Sequence, residues 1–424
     1  SVCLIQAAKA LLGSESLLAF VAPAIGTEAS TAIMTVYLLH KIGKHMEARR
    51  KIRSLDTRHL LSFRMSIAGD PTCGPTIMPY DFMGLARSMH FMSPEGYGRI
   101  GDWERVKPGW FTAAYARYAA PGRPVMWAEF GYTIWNKGQA VQPEPGLSFA
   151  DAFDRRHYLP GTIEFTERYY RAFYDMALAS GCAGTVCWWY PGGFRVGENS
   201  DFGIINPDGT WRGLTRIIAE YAPRFARAEG PRKPDAWLTV DRDRHPDGIY
   251  GMYNTVKDEF WKLVADGKFP GLRDEADGTD SATCPLTAVG NVPCTGSNPP
   301  RYLNGEFEYV QVLDSAGKWV DVPYEGGAIA VETGRPVRIR VRAGNNGRVR
   351  WLASSPTGAV SVAVVSPAGV VYAPLKADVE PQGTAEVVEL QLQPVTTTLD
   401  VDITLDAADR CRFGEKRRLR LAPE

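Results

Sequence analysis

The sequence lacks the marks of several large classes of protein. It has no run of about 18 apolar residues, so it predicts no transmembrane helix. Its 48 basic residues balance its 48 acidic ones, and this zero formal charge gives no reason to expect nucleic acid or an anionic membrane as a partner. It also lacks a glycine-rich phosphate loop, which argues against a barrel that binds nucleotides or phosphates.

Patterns typical of metal sites are absent as well. The six histidines are scattered along the chain without an HExxH pattern, and the cysteines form no CxxC pair. Protein metal sites usually draw on such clusters of imidazole and thiolate ligands. We therefore expect no metal and no other cofactor.

The start of the chain shows no targeting signal. It begins at Ser1 rather than Met, and no basic segment leads into an apolar run with a cleavage site. The missing Met suggests a processed chain or a fragment. The localisation stays undetermined, with a secreted or periplasmic protein as one candidate.

The cysteines are odd in number, at seven. Cys284 and Cys294 lie ten residues apart in a loop rich in glycine, proline and threonine, where a disulfide would tie down a segment without regular structure. Cys182 and Cys187 lie in an apolar strand and are expected to be buried thiols.

Residues 1–228 alternate between helical and strand-like patterns, as βα units around a parallel sheet do. The predicted strands are Leu17–Phe20, His59–Met65, Ser88–Met92, Pro124–Phe130 and Gly184–Trp189. The predicted helices are Val2–Leu12, Val36–Leu55, Phe82–Leu85, Trp110–Tyr118, Ile163–Ala179 and Leu214–Tyr221. Pro223 is expected to end the last helix, because proline lacks the N–H that a helix interior needs.

These strands are fewer than a closed barrel requires. A (β/α)8 barrel has eight strands in about 250 residues, whereas about five are predicted in residues 1–228, where some loops are long. We expect an α/β fold that is the C-terminal part of such a barrel, with roughly three βα units missing on the N-terminal side.

Beyond residue 228 the pattern changes twice. Residues 229–304 are mostly polar and rich in turn residues, and we interpret them as an irregular connector. From Gly305 short alternating segments follow one another between glycine and proline turns, which predicts an antiparallel β-sandwich over residues 305–424. Because few of its aromatic residues look exposed, this domain is expected to brace the barrel rather than bind sugar.

A carboxylate stands out in the segment PVMWAEFG, residues 124–131. An apolar strand leads up to Glu129, and Gly131 interrupts it. The C-terminal ends of barrel strands point into the active site, so Glu129 beside Trp127 would have a rigid and partly dry mount. Both properties suit a nucleophile that must hold one geometry. A strand-end glutamate paired with an arginine is the competing structural interpretation.

One βα unit further on, the segment GCAGTVCWWYPGG ends an apolar strand in Trp188, Trp189 and Tyr190. The loop that follows holds Asp201 and ends in an Asp-Gly turn. Aromatic rings at the end of a barrel strand can form a platform for a sugar, although such clusters also occur as ordinary core.

Together these segments resemble the clan of retaining (β/α)8-barrel glycoside hydrolases that includes cellulases, mannanases and β-galactosidases, especially its family-five-like members. WAEFG is similar to the clan's seventh strand, and WWYPGG with SDFGIINPDGTWR to its eighth. SMHFMSPEGYGR is similar to the sixth strand and RSLDTRHLLSFRMS to the fifth strand with its preceding helix. The resemblance covers residues 36–225 and is most specific around Glu129.

The resemblance implies roles for individual residues. Glu129 would be the nucleophile, and Tyr97 or His90 would touch it from the sixth strand. The other residues expected to bind substrate are Glu95, Trp127, Trp188, Trp189 and Asp201. The partner would be an oligo- or polysaccharide, and the activity hydrolysis of O-glycosidic bonds, as in polysaccharide degradation.

One part of the clan's pattern is missing. The clan carries its acid/base as an Asn-Glu pair at the end of the fourth strand, and the matching stretch LLAFVAPAIGTEAS has no such pair. Glu28 is the nearest carboxylate and comes three residues late, so it is the candidate acid/base. The alternative is a non-catalytic carbohydrate-binding relative, or an inactive fragment without the acid. The sugar and its linkage are not determined by the sequence.

Overall fold

The computed structural model describes residues 49, 52–62, 64–65, 71–72, 82–96, 100–133, 163–190, 192, 201–227, 232–245, 247–288, 294, 298–324 and 326–424. Contacts divide the chain into two compact units, one from His59 to Arg273 and the other comprising Asp274–Glu424 with the chain up to Arg58. Within the described part, no helix is long and apolar enough to cross a membrane. The predicted elements Val2–Leu12 and Leu17–Phe20 lie outside the described residues.

The first four described strands of the unit His59–Arg273 are short, and each runs parallel to the next. They are β1 (Arg64–Met65), β2 (Ser93–Pro94), β3 (Met126–Phe130) and β4 (Gly184–Cys187). β1 pairs with β2, bridges at Met92–Val125 and Glu95–Glu129 join β2 to β3, and β3 pairs with β4. Each strand therefore lies beside the next one in the chain, as successive βα units require.

Helices lie between these strands and after β4. They are α1 (Phe82–Ala86), α2 (Trp103–Val106), α3 (Pro108–Ala119), α4 (Ile163–Ala179) and α5 (Gly213–Ala226). Proline at the first position of α3 suits a helix start, because the N–H that it lacks has no partner there. α4 has the predicted bounds, and it buries a row of aromatic side chains against β3.

Pro223 does not end α5, so that expectation is wrong. The helix continues to Ala226, with Pro223 inside it. Proline in a helix interior removes one hydrogen bond, but the helix can continue where its remaining contacts hold. Here the side chain of Tyr221, two positions before the proline, stacks on Tyr174 of α4 at a ring separation of 5.0 Å.

The segment expected to be an irregular connector contains a further βα arrangement. Strand β5 (Ala236–Thr239) runs parallel to β6 (Pro270–Arg273), and α6 (Ile249–Ala265) connects them. α6 buries Ile249, Met252, Tyr253 and Phe260, which follow a helical period. Phe260 lies at 5.3 Å from Phe111 of α3, so aromatic packing holds this segment onto the same unit.

The unit that contains Asp274–Glu424 is built from antiparallel sheets. Its strands are β7 (Gly305–Leu313), β8 (Trp319–Asp321), β9 (Ala328–Val331), β10 (Val337–Asn345), β11 (Val360–Ser366), β12 (Gly369–Pro374), β13 (Val388–Leu392), β14 (Leu399–Ala407) and β15 (Cys411–Pro423). One sheet has the order β13-β10-β7-β8 and the other β12-β11-β14-β15-β9, where only β9 pairs in parallel. Apolar side chains from both sheets share one core cluster.

The alternation along β10 shows why these segments form strands. Val337, Ile339 and Val341 are buried, while the arginines between them point outward. A period of two buries one face and leaves the other in water, which is the pattern of an antiparallel sheet with one covered face.

The predicted disulfide between Cys284 and Cys294 is not formed, because both are free thiols. Cys284 is 1% exposed, and its Sγ accepts a hydrogen bond of 3.4 Å from Arg410. The same guanidinium donates to the backbone carbonyls of Ser281 and Cys284 at 2.6 Å. An arginine thus ties this loop down where the sequence suggested a covalent bond.

The thiols of Cys187 and Cys411 are expected to alkylate slowly. Burial raises the pKa of each from 9.0 to about 11, since the thiolate is poorly solvated there. A thiol with a raised pKa holds less thiolate, so at pH 8 each should react with iodoacetamide roughly 100-fold more slowly than an exposed cysteine. Peptide mass spectrometry of partially alkylated native protein would measure this, and rates equal to those in urea would contradict it.

Candidate active site

Glu129 is the second-last residue of β3, at the C-terminal end of that strand. Its Cα is paired with that of Glu95 on the neighbouring strand, and its carbonyl oxygen accepts a 2.7 Å hydrogen bond from the N–H of Gly96. The residues are nearly buried, with exposed fractions of 8% for Glu129 and 3% for Glu95. The backbones of two buried glutamates therefore lie next to each other at the ends of parallel strands.

The direction of the Glu129 side chain follows from its neighbours on β3. Phe130 stacks on Phe173 of α4, with ring centroids 4.1 Å apart and planes 3° apart. Trp127 also contacts Phe173, at 5.3 Å, and the strand register shifts between Trp127 and Phe130. Phe130 faces the helices, so we expect its immediate neighbour Glu129 to point to the other face of the sheet. The register shift allows Trp127 to face the helices as well.

Trp127 supports the strand from behind. It is 1% exposed, and its ring lies between Phe173 and Gly109 of the helices. A ring so completely covered has no free face on which a sugar could stack. The expected contact between Trp127 and substrate does not fit this position.

Gly131 allows β3 and β4 to approach at the site. A Cβ at this position would overlap the carbonyl oxygen of Trp188. The N–H of Trp188 in turn donates a 2.7 Å hydrogen bond to the carbonyl of Phe130. The glycine that interrupts the apolar strand is thus needed to bring the tryptophan pair against the strand end that carries Glu129.

Trp188 and Trp189 form an aromatic pair at the end of β4. Their ring centroids are 4.5 Å apart, the peptide between them is cis, and both rings are partly exposed. The N–H of Trp189 donates to the carbonyl of Phe202, and the carbonyl of Trp189 accepts from Ile204. A partly exposed aromatic surface, fixed through its backbone, lies beside the Glu129 strand end.

Asp201 is committed to its own loop. It is fully buried, and its two carboxylate oxygens accept hydrogen bonds of 3.0 and 2.7 Å from the guanidinium of Arg212. The N–H of Gly203 donates to the same carboxylate, and the N–H of Asp201 donates to Thr133. This geometry favours a role in holding the loop behind Trp189 over direct substrate contact.

His90 lies three positions before β2, in a bend. Its Nδ1 accepts a 2.9 Å hydrogen bond from the N–H of Leu61. It precedes Glu95, the Cα partner of Glu129, by five positions. Tyr97 and Glu28, the other predicted contacts, lie outside the described residues.

The sequence does not predict that Glu95 lies beside Glu129. Glu95 appeared as one of several binding candidates, whereas the register makes it the direct neighbour of Glu129. Counting from the bridge at Met92–Val125 would give the wrong pair, because the spacing to the next bridge is three residues on β2 and four on β3. An irregularity of this kind leaves no trace in a single sequence.

Comparison with known proteins adds the following. No protein family model and no curated protein matches the chain significantly. Among solved structures, it is similar to a GH5_18 protein from Streptomyces cattleya in complex with GlcNAc, at 17% identity and a TM-score of 0.36, over 54% of this chain and 55% of that one. A GH5_18 from Bifidobacterium longum subsp. infantis matches at 17% identity and a TM-score of 0.38, over 54% and 53%.

A third similar structure is a β-galactosidase from the haloarchaeon Halorubrum lacusprofundi, at 12% identity and a TM-score of 0.40, over 86% of this chain and 68% of that one. The chain spans about half the length of the two GH5_18 proteins. All of these TM-scores are below 0.5, so these similarities assign no function to the chain.

Proposed function

We propose that this chain is a glycoside hydrolase that cleaves O-glycosidic bonds by a retaining double displacement, with Glu129 as nucleophile. The observation that carries the proposal is the placement of Glu129. It is a nearly buried carboxyl group at the C-terminal end of a parallel strand, with a second carboxyl group on one side and a tryptophan pair on the other.

Each neighbour of Glu129 suits this chemistry. The stack of Phe130 on Phe173 fixes the strand end, so that the carboxylate can meet the anomeric carbon in one geometry. The partly exposed rings of Trp188 and Trp189 offer apolar faces to the C–H side of a pyranose. A carbohydrate is accordingly the partner that we propose.

We further propose that the parallel strands β1 to β4 belong to an incomplete (β/α)8 barrel and that the two antiparallel sheets form a β-sandwich. Parallel pairing in chain order supports the first, and a core shared by both sheets supports the second. The predicted domains, residues 1–228, 229–304 and 305–424, stay a prediction. Contacts divide the chain between Arg273 and Asp274.

The second candidate is a carbohydrate-binding relative without catalysis. It is favoured by the missing Asn-Glu pair in the stretch that resembles the fourth strand. Such a protein would keep the tryptophan surface and bind sugar, but it would form no covalent bond to the sugar.

Covalent labelling separates the two candidates. We expect a panel of 2,4-dinitrophenyl 2-deoxy-2-fluoro glycosides, carrying gluco, manno, galacto and xylo sugars, to label the protein with at least one sugar. The leaving group needs little acid assistance, and the fluorine slows hydrolysis of the glycosyl-enzyme. Intact-protein and peptide mass spectrometry should locate the added sugar on the peptide that contains Glu129. Sugar binding without any covalent label across the panel would favour the non-catalytic candidate.

A further inference from the structure

We propose that Glu95 is the proton donor and acceptor that works with Glu129, in place of a carboxylate from the fourth strand. The inference rests on the proposed function and deepens it by naming the second carboxyl group of the same site. A retaining mechanism needs two such groups about 5–5.5 Å apart.

The backbone places the two carboxyl groups at a suitable separation. Glu95 and Glu129 are Cα partners on adjacent parallel strands, whose spacing is about 4.8 Å. The side chains have the same length, and paired residues of adjacent strands point to the same face of a sheet. Their carboxyl groups therefore leave the sheet side by side, about one strand spacing apart.

Gly96 gives independent support for the direction of Glu95. A Cβ on Gly96 would lie 2.5 Å from the ring of Phe173 and 3.0 Å from Cβ of Phe130, so Gly96 is turned toward the helix face. Its neighbour Glu95 must then point to the opposite face, which is also the face of Glu129. The register and the packing thus agree on the same placement.

Burial favours a shared proton between these two groups. Both residues are more than nine-tenths buried, and two carboxylates at such a distance cannot both be ionised without a large electrostatic penalty. The proposed roles require a proton on Glu95 while Glu129 is charged. Asp201 is unsuited to this part because both of its oxygens are engaged by Arg212.

The reaction then runs in two balanced steps. In the first, a carboxylate oxygen of Glu129 bonds to the anomeric carbon, the glycosidic C–O bond breaks, and the Glu95 proton moves to the leaving oxygen. In the second step, the oxygen of a water molecule bonds to the anomeric carbon while the Glu95 carboxylate takes a proton from that water. The ester bond to Glu129 breaks, and both groups return to their starting states.

Variants at Glu95 test the assignment in the full chain. We expect Glu95→Ala to lower turnover of aryl glycosides with poor leaving groups by about 10²–10⁴-fold. With a 2,4-dinitrophenyl glycoside, the variant should release the sugar from Glu129 slowly, so that the glycosyl-enzyme accumulates. Sodium azide should restore turnover and give a glycosyl azide of retained configuration, because the small anion attacks without needing a base. Glu95→Gln keeps the side-chain shape and should show the same leaving-group dependence.

The matched control is Glu104→Gln, which alters an exposed glutamate paired with Lys107 on α2. It should behave as the unmodified chain. If fluorosugars label Glu129 but Glu95→Ala and Glu95→Gln show no leaving-group dependence and no azide product, the assignment of Glu95 is overturned while the proposed function stands. If the unmodified chain is not labelled at all, the proposed function fails and this inference fails with it.

Discussion

Glu129→Gln is expected to lower kcat/KM on any glycoside that the chain cleaves by about four orders of magnitude or more. The amide has nearly the same shape as the carboxylate, but it cannot attack the anomeric carbon to form a glycosyl ester. The fluorosugar label should disappear for the same reason. Initial rates with a 2,4-dinitrophenyl glycoside and intact mass spectrometry measure the two effects.

The fold must survive for this result to be informative. Phe130 and Phe173 hold the strand end by stacking, and the amide leaves that contact unchanged. Glu104→Gln, at an exposed position, provides the matched carboxylate-to-amide control. If Glu129→Gln retains a tenth or more of the activity, or is still labelled by the fluorosugar, Glu129 is not the nucleophile.

The sequence predicts some of the fold closely because the periodic signal is strong there. α4 has the expected bounds Ile163–Ala179, with one face of aromatic residues and a glycine, Gly181, just beyond its end. β3 lies within the expected strand Pro124–Phe130. In both cases a local pattern and the tertiary contacts demand the same structure.

Elsewhere the long-range contacts decide. The local sequence does not predict the pairing of β5 with β6, the two strands that α6 connects, because polar turn residues surround both strands. The thiol of Cys284 is hydrogen-bonded by Arg410, more than a hundred residues away in the sequence. Pro223 is held inside a helix that packs on α4 through Tyr174 and Tyr221. Each outcome rests on a partner that the local sequence does not show.

In the candidate site, too, the local sequence predicts one part and long-range contacts decide the other. Glu129 could be singled out because an apolar strand, one carboxylate and a glycine follow one another within the printed segment WAEFG. The neighbours of Glu129 could not, because the strand register decides them. That register brings Glu95 to Glu129, while His90 lies before β2 and bonds to Leu61.

Asp201→Asn is expected to lower the free energy of unfolding of the unit His59–Arg273 by about 3 kcal/mol or more. Asp201 is fully buried and Arg212 is 6% exposed, and the two form a bidentate ion pair. The amide removes the negative charge and turns an N–H donor toward a guanidinium that can only donate. A buried cation is then left without its counter-charge, which water cannot replace at this position.

Urea denaturation followed by tryptophan fluorescence would measure the change, since Trp189 is bonded to the loop that this ion pair holds. Glu220→Gln is the matched control. It breaks the bidentate contact of Glu220 with Arg171, whose side chains are 51% and 46% exposed, and should change the free energy of unfolding by less than about 1 kcal/mol. Equal effects of the two substitutions would show that burial of the Asp201–Arg212 pair contributes nothing special. In that case Asp201 would be available again for contact with substrate.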